Sequence, residues 1–139
     1  MELHDEIRDF NWLLSTFVTE TAGVSDAVAV SSDGVLLARS SSLARDEGEQ
    51  LCAIIAGCAS LAQATDRALG SGGLERVIIS MNQGFLFVTA IADGSCLGVV
   101  AAHDCDVGSV GYQTTELVSR VGNLLTPRLV AELRRVASM

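Results

Sequence analysis

The chain has 139 residues, an apolar fraction of 49%, a charged fraction of 19% and a net charge of −8, with nine Arg, no Lys and seventeen Asp plus Glu. This fits one globular domain over residues 1–139 with a core of its own, and excludes a disordered chain. The acidity excludes a nucleic-acid partner, which needs clustered cations, and direct docking on anionic lipid.

No stretch reaches the ~18 apolar residues that span a bilayer. The start, MELHDEIRDF, lacks the basic-then-apolar layout of a secretion signal, so a cytoplasmic protein is expected. The four Cys (52, 58, 96 and 105) then read as reduced, buried small hydrophobes. Cys52 and Cys58 fall about 120° apart on one predicted helix and should not bridge.

The first helix is predicted over Glu6–Thr21, with Ile7, Phe10, Leu14, Phe17 and Val18 as its buried stripe and Gly23 as its stop. Trp12 and Leu13 lie off that stripe, towards a sheet edge or a partner. Asp33-Gly34 between two short apolar runs predicts a hairpin, because the turn needs φ > 0 and Gly supplies it cheaply. Its strands are placed at Asp26–Ser31 and Val35–Arg39.

A long helix is predicted over Arg45–Leu69, with acidic residues (Asp46, Glu47, Glu49) suited to its positive N-terminus. Leu51, Ile54, Ile55, Cys58, Leu61, Ala62, Thr65 and Leu69 form a bulky face for packing on a sheet. Ala53, Ala56, Gly57, Ser60 and Ala64 form a small, smooth face on roughly the opposite side. The glycine-rich GSGG (70–73) follows this helix and precedes a strand. A phosphate loop has the reverse order and carries Lys, so a nucleotide-binding loop is rejected.

Three strands follow as a meander: Leu74–Met81, Phe85–Ile91 and Ser95–Ala101, joined at Asn82-Gln83-Gly84 and Asp93-Gly94. The latter two are apolar on both faces, which predicts a sheet covered on both sides. Val110, Thr114, Leu117, Val121 and Leu124 then mark the buried stripe of a last helix, interrupted at Thr126-Pro127. Thr as N-cap and Pro at the first helical position would restart a helix there; a kink in a continuous helix is the alternative.

His103-Asp104-Cys105-Asp106 is the one run of metal-ligand residue types. Adjacent loop residues rarely converge on one ion, and it reads better as a cap for the last helix. His4 is the only other histidine. No nucleophile elbow or acid–base pair is specified, so no catalytic, cofactor-binding or metal-binding residue is assigned. What remains is self-association. The expected interface joins Ala53, Ala56, Gly57, Ser60 and Ala64 of the long helix to Arg76, Ile78 and Ser80 of the next strand, whose free edge would pair with a second copy. The other reading is that a segment of the same chain covers this face.

The motifs NWLLSTFV (11–18), AVAVSSDGVLLA (27–38), QLCAIIAGCASLA (50–62), GFLFVTAIADGSCLGVV (84–100) and DCDVGSVGYQ (104–113) cover most of the chain. In order and spacing they resemble the Roadblock/dynein light chain domain, in its short single-domain actinobacterial form. The resemblance implies an α+β, α-β-β-α-β-β-β-α sandwich with a five-stranded antiparallel sheet and helices on both faces. It implies a homodimer through the second helix and third strand. It also implies a small Ras-like GTPase as partner, in a setting that includes a sensor histidine kinase-like protein, with partners bringing the protein to the inner membrane face. Relatives that stimulate GTP hydrolysis reshape the GTPase's own site, so Arg39, Arg45 and Arg76 are expected to be solvated rather than arginine fingers. Two rival readings are a small-molecule sensing module of profilin-like type and a purely structural scaffold.

Overall fold

The computed structural model describes residues 2–91 and 94–137, with side chains from 8 to 91 and from 94 to 136. The side chains of His4 and Ile7, and Asp93 of the predicted turn, lie outside the described residues. The elements are α1 (Glu2–Glu20), β1 (Val24–Val30), β2 (Leu36–Arg39), α2 (Arg45–Leu69), β3 (Arg76–Met81), β4 (Gly84–Ala90), β5 (Cys96–Ala102), α3 (Val107–Leu124) and α4 (Pro127–Ala137). The strands form one sheet in the order β2-β1-β5-β4-β3, and every neighbouring pair is antiparallel. β2 and β3 are therefore the two edges.

Alternation along the strands divides the core in two. Ala27, Ala29, Phe87, Leu97, Val99 and Ala101 face α1, α3 and α4, which contribute Phe10, Leu14, Val110, Leu117, Val121, Leu129 and Leu133. Val28, Val30, Leu86, Val88 and Cys96 face α2. The sheet is covered on both sides, as its doubly apolar central strands required. Burying a Phe or Leu contributes about 1.5–3 kcal/mol, so the fold rests chiefly on these two clusters.

Local chemistry sets the boundaries. Gly23 follows α1 at φ 86°. Asp33-Gly34 turns the first hairpin, with Gly34 at φ 88°, but inside the longer connection 31–35, where the Ser31 hydroxyl accepts from Val35 N–H. Gly70 ends α2 in the left-handed region and donates to the Asp66 carbonyl at 2.8 Å. Asp66 Oδ1 then accepts from Gly73 N–H and from the Ser71 hydroxyl, both at 2.9 Å. These bonds, the Gly73 amide foremost, hold its carboxyl below the ordinary range. The GSGG turn is thus a helix stop.

One sequence expectation needs correction at the C-terminal end. Leu124 is exposed, and Leu125 takes the buried place because the chain leaves helical geometry there (ψ 72°). The helix does restart: Thr126 Oγ1 accepts from Leu129 N–H at 3.1 Å, and Pro127 opens α4. Thr126→Ala is expected to cost about 1 kcal/mol, read as a shift in the denaturation midpoint at unchanged slope.

Candidate functional site: the outer face of α2 and the β3 edge

α2 meets the sheet through Gly48, Cys52, Ile55 and Ala59, the buried positions of the helix. This corrects the bulky-face assignment in part: Ile55 packs on the sheet with Leu51 against its cluster, but Ile54, Leu61 and Leu69 are 49%, 74% and 73% exposed. At about 100° per residue the helix is turned some 80° from the expected orientation. The cause is the sheet beneath. Val28, Val30, Leu86 and Val88 already fill that side, and Gly98 lies directly under Ile55. Close approach needs small residues on the helix beside that contact, so Cys52 and Ala59 turn inward with Ile55, while Ile54 and Leu61 turn away.

The residues expected at a self-association surface are divided by the structure. Ala53, Gly57, Ser60 and Ala64 are exposed on the outward face of α2, with Ile54 and Leu61 along one side. A Cβ added at Gly57 would meet nothing within 4 Å. Ala56 is half-buried instead, because its methyl lies against Gly34 of the first hairpin. The strand residues Arg76, Ile78 and Ser80 alternate with Val77 and Ile79, and only the latter pair packs on the α2 side. Arg76, Ile78 and Ser80 therefore lie across the sheet from α2. Helix and strand share the β3 edge, not one continuous face.

Arg76 is not solvated, contrary to expectation. Its Nε donates to Thr89 Oγ1 at 3.2 Å, and its Nη2 donates to the Gly111 carbonyl at 2.9 Å and to Thr115 Oγ1 at 2.7 Å. Arg39 also has an intramolecular partner, the Leu43 carbonyl at 2.6 Å, while Arg45 is exposed at the start of α2.

The two edges of the sheet differ. On β2, Arg39 N–H donates to Asn11 Oδ1 at 3.1 Å, and just beyond it Ser41 N–H donates to Ser15 Oγ at 2.9 Å. Asn11 and Ser15 are one turn apart on α1 and close that edge. Among the described residues, no side chain hydrogen-bonds the outward backbone groups of β3, and Ile78 and Met81 on it are exposed. Sequence reasoning missed the Asn11–Ser15 pair. Its signal was two short polar residues at i and i+4, bracketing the apolar run Trp12-Leu13-Leu14.

The remaining candidates have structural roles. Asp106 caps α3 by accepting from Ser109 N–H at 3.0 Å, as the reading of the HDCD run anticipated. Burial, and then the charges of Asp104 and Asp106, push the Cys105 thiol up. Burial, helped by Glu49, pushes Cys52 up to about 12. All four cysteines are free thiols. Among the described residues no group of three or more His, Cys, Asp or Glu side chains converges, and no helix is long and apolar enough to cross a membrane. Phe10, Phe87, Leu14 and Ile55 fill the interior beside the sheet. A cavity of about 330 Å³ lies between α1 and α3, lined by Phe17, Glu20, Gln113 and Arg120 among others.

A five-stranded antiparallel sheet between one long helix and a three-helix layer, with one closed and one open edge, defines an α+β sandwich. The family model of the Roadblock/LC7 domain matches residues 10–101. The chain belongs to the Roadblock/LC7 domain family. Among solved structures it is similar to a Roadblock/LC7 domain from Streptomyces avermitilis at 29% identity and TM-score 0.75, covering 80% of this chain and 92% of that one. A second Streptomyces avermitilis Roadblock/LC7 domain shares 33% identity at TM-score 0.67, covering 80% and 96%. Myxococcus xanthus MglB, at 12% identity and TM-score 0.76 over 84% and 94%, shares the fold. A comparison with curated protein sequences finds no match.

Proposed function

We propose that this Roadblock domain is a non-enzymatic, homodimeric regulator or scaffold of a small Ras-like GTPase. The observation that carries the reading is the exposed face of α2, with Ala53, Gly57, Ser60, Ala64, Ile54 and Leu61, beside the open edge of β3. A two-fold axis at that edge pairs strand with strand and helix with helix, an isologous contact that satisfies the unpaired backbone groups and covers the exposed apolar side chains. The two α2 helices and their adjoining loops then form a platform for the GTPase. Binding one nucleotide state of its switch segments more tightly than the other shifts their population, and no chemistry from this chain is required. Family membership supports the partner class. A sensor histidine kinase-like protein completes the complex and recruits it to the inner membrane face.

The GTPase reading is tested with a small Ras-like GTPase from the same organism, loaded with GDP or with a GTP analogue. The expected result is nucleotide-dependent binding and a change in hydrolysis or exchange. Equal failure to bind in both states would overturn it, and binding without any change in turnover would reduce it to scaffolding.

Gly57→Leu tests the dimer separately. With nothing within 4 Å of its Cβ, the protomer accommodates the side chain, and Leu replaces the poorest non-proline helix former, a gain of about 1 kcal/mol. The same side chain overpacks a helix–helix contact by about 1–3 kcal/mol. Protomer stability should hold or rise while the dimer weakens about ten-fold, measured by sedimentation across a concentration series. A Gly57→Leu protein as dimeric as the wild type would remove this face from the interface.

A further inference from the structure

Arg76 occupies the first position of the β3 edge, yet its guanidinium is turned inward across the sheet. Nε reaches the hydroxyl of Thr89, its cross-strand neighbour on β4, at 3.2 Å. Nη2 reaches the Gly111 carbonyl and the Thr115 hydroxyl at 2.9 and 2.7 Å. Thr115 in turn donates to the same Gly111 carbonyl at 3.0 Å, so the arginine joins an existing pair. Room for it comes from a glycine. A Cβ at position 111 would lie 2.7 Å from Arg76 Nη1, closer than real side chains approach. No carboxylate takes part, and all three acceptors are neutral. A single cationic fork thus connects the outermost strand to its neighbour and to a helix on the opposite face from α2.

We propose that Arg76 is a positioning residue for self-association: by tying β3 to α3 it holds the edge strand in the twist and register that a second copy pairs with. This rests on the dimer reading above. An edge strand is paired on one side only, and at the start of β3 the chain has just left the glycine-rich turn at 70–73, where Gly70, Gly72 and Gly73 have positive φ. Backbone N–H groups tie that end to β4 and α2, through Ala90 N–H on the Glu75 carbonyl and Gly73 N–H on the Asp66 carboxylate, and the Arg76 fork adds the tie to α3. Losing that tie costs the protomer little, because Val77 and Ile79 keep β3 packed on the α2-side cluster while Ile78, Ser80 and Met81 are exposed. It costs more in the dimer, where each unformed strand pair is lost from both copies.

The test is sedimentation equilibrium on wild type, Arg76→Ala, Gly111→Ala and the double variant, with hydrogen exchange at the β3 amides. Arg76→Ala is expected to weaken the dimer at least about ten-fold, the scale of lost charge-assisted hydrogen bonds, and to speed exchange selectively in β3. Gly111→Ala should do the same with Arg76 intact, because the new methyl displaces the guanidinium. The double variant should be no worse than Arg76→Ala alone, since both changes remove one contact. Val121→Ala, in the α3 core and away from β3, is the control, lowering the thermal midpoint while leaving the dimer constant unchanged. Dimer constants for Arg76→Ala and Gly111→Ala within two-fold of wild type overturn the proposal, as does an equal shift in the control. A wild type that stays monomeric at every concentration overturns the dimer reading itself, and this proposal with it.

Discussion

Gly98→Val is expected to destabilise the fold by about 3 kcal/mol or more, at the upper end for overpacking a closed core. Gly98 lies at the middle of the central strand, paired with Val28 of β1 and Val88 of β4. A Cβ there would lie 2.2 Å from Ile55 Cδ1, 3.2 Å from Val28 Cγ2 and 3.3 Å from Ile55 Cγ1. On a surface, the far end of an isoleucine would swing aside. Here Ile55 and Val28 are fully buried, so either Ile55 leaves its rotamer inside a packed cluster or α2 lifts from the sheet. Gly98→Ala should cost less, about 1–3 kcal/mol. The clash also names its own suppressor. Ile55→Val removes the offending Cδ1 and alone costs about 0.5–1.5 kcal/mol. Combined with Gly98→Ala it should recover more than 1 kcal/mol of the expected sum, a coupling readable from urea midpoints. Strict additivity would mean that α2 is not seated on Gly98. Lifting α2 also displaces the outer face that carries Gly57 and Leu61, so Gly98→Val should impair self-association as well as stability.

The same contact explains what could and could not be read from the chain. The ends of α2 were legible to the residue, because an acidic first turn and Gly70 mark them locally. Its rotation was not. The helix is apolar or small around nearly its whole circumference, and its periodicity fits two orientations about 80° apart. What selects Ile55 over Ile54 is a glycine 43 positions further on, opposite a closed row of valines and leucines. Arg76 follows the same logic. Its alternation with Val77 separates the two faces of β3 but does not say which one meets α2, and its partners Gly111 and Thr115 lie 35 and 39 residues further along. A glycine in a helix gives no local hint that it is a seat for an arginine. The hairpin at Asp33-Gly34, the Thr126-Pro127 restart and the Asp106 cap were legible because each is settled within four residues. The candidate site depended on which face of a long helix the sheet claims, and that is a tertiary decision.

Leu129→Ala is expected to cost about 2–5 kcal/mol and to undock α4 as a unit. α4 has 11 residues, below the length at which an isolated helix holds its shape in water. It is helical because it is docked, and Leu125, Leu129 and Leu133, one turn apart, bury their side chains in the cluster with Phe10, Leu14 and Leu37. A further link pairs Arg134 with Asp33 in the first hairpin, a carboxylate held below its ordinary range by the Ser31 hydroxyl foremost, then by its own backbone amide and by Arg134. Both partners are substantially exposed and solvent-screened, so Arg134→Ala should move the denaturation midpoint little. The pair weakens only as pH falls through the depressed Asp33 pKa. Hydrogen exchange separates the two contributions. Leu129→Ala should release the α4 amides nearly to the unstructured rate while those of β5 stay protected, and Arg134→Ala should leave both sets close to wild type. A larger effect from Arg134→Ala, abolished by salt, would mean that charge rather than the leucine row holds α4. The apolar row is favoured because each buried leucine contributes about as much as several exposed ion pairs, and α4 supplies two of them to a core that otherwise ends at Leu125.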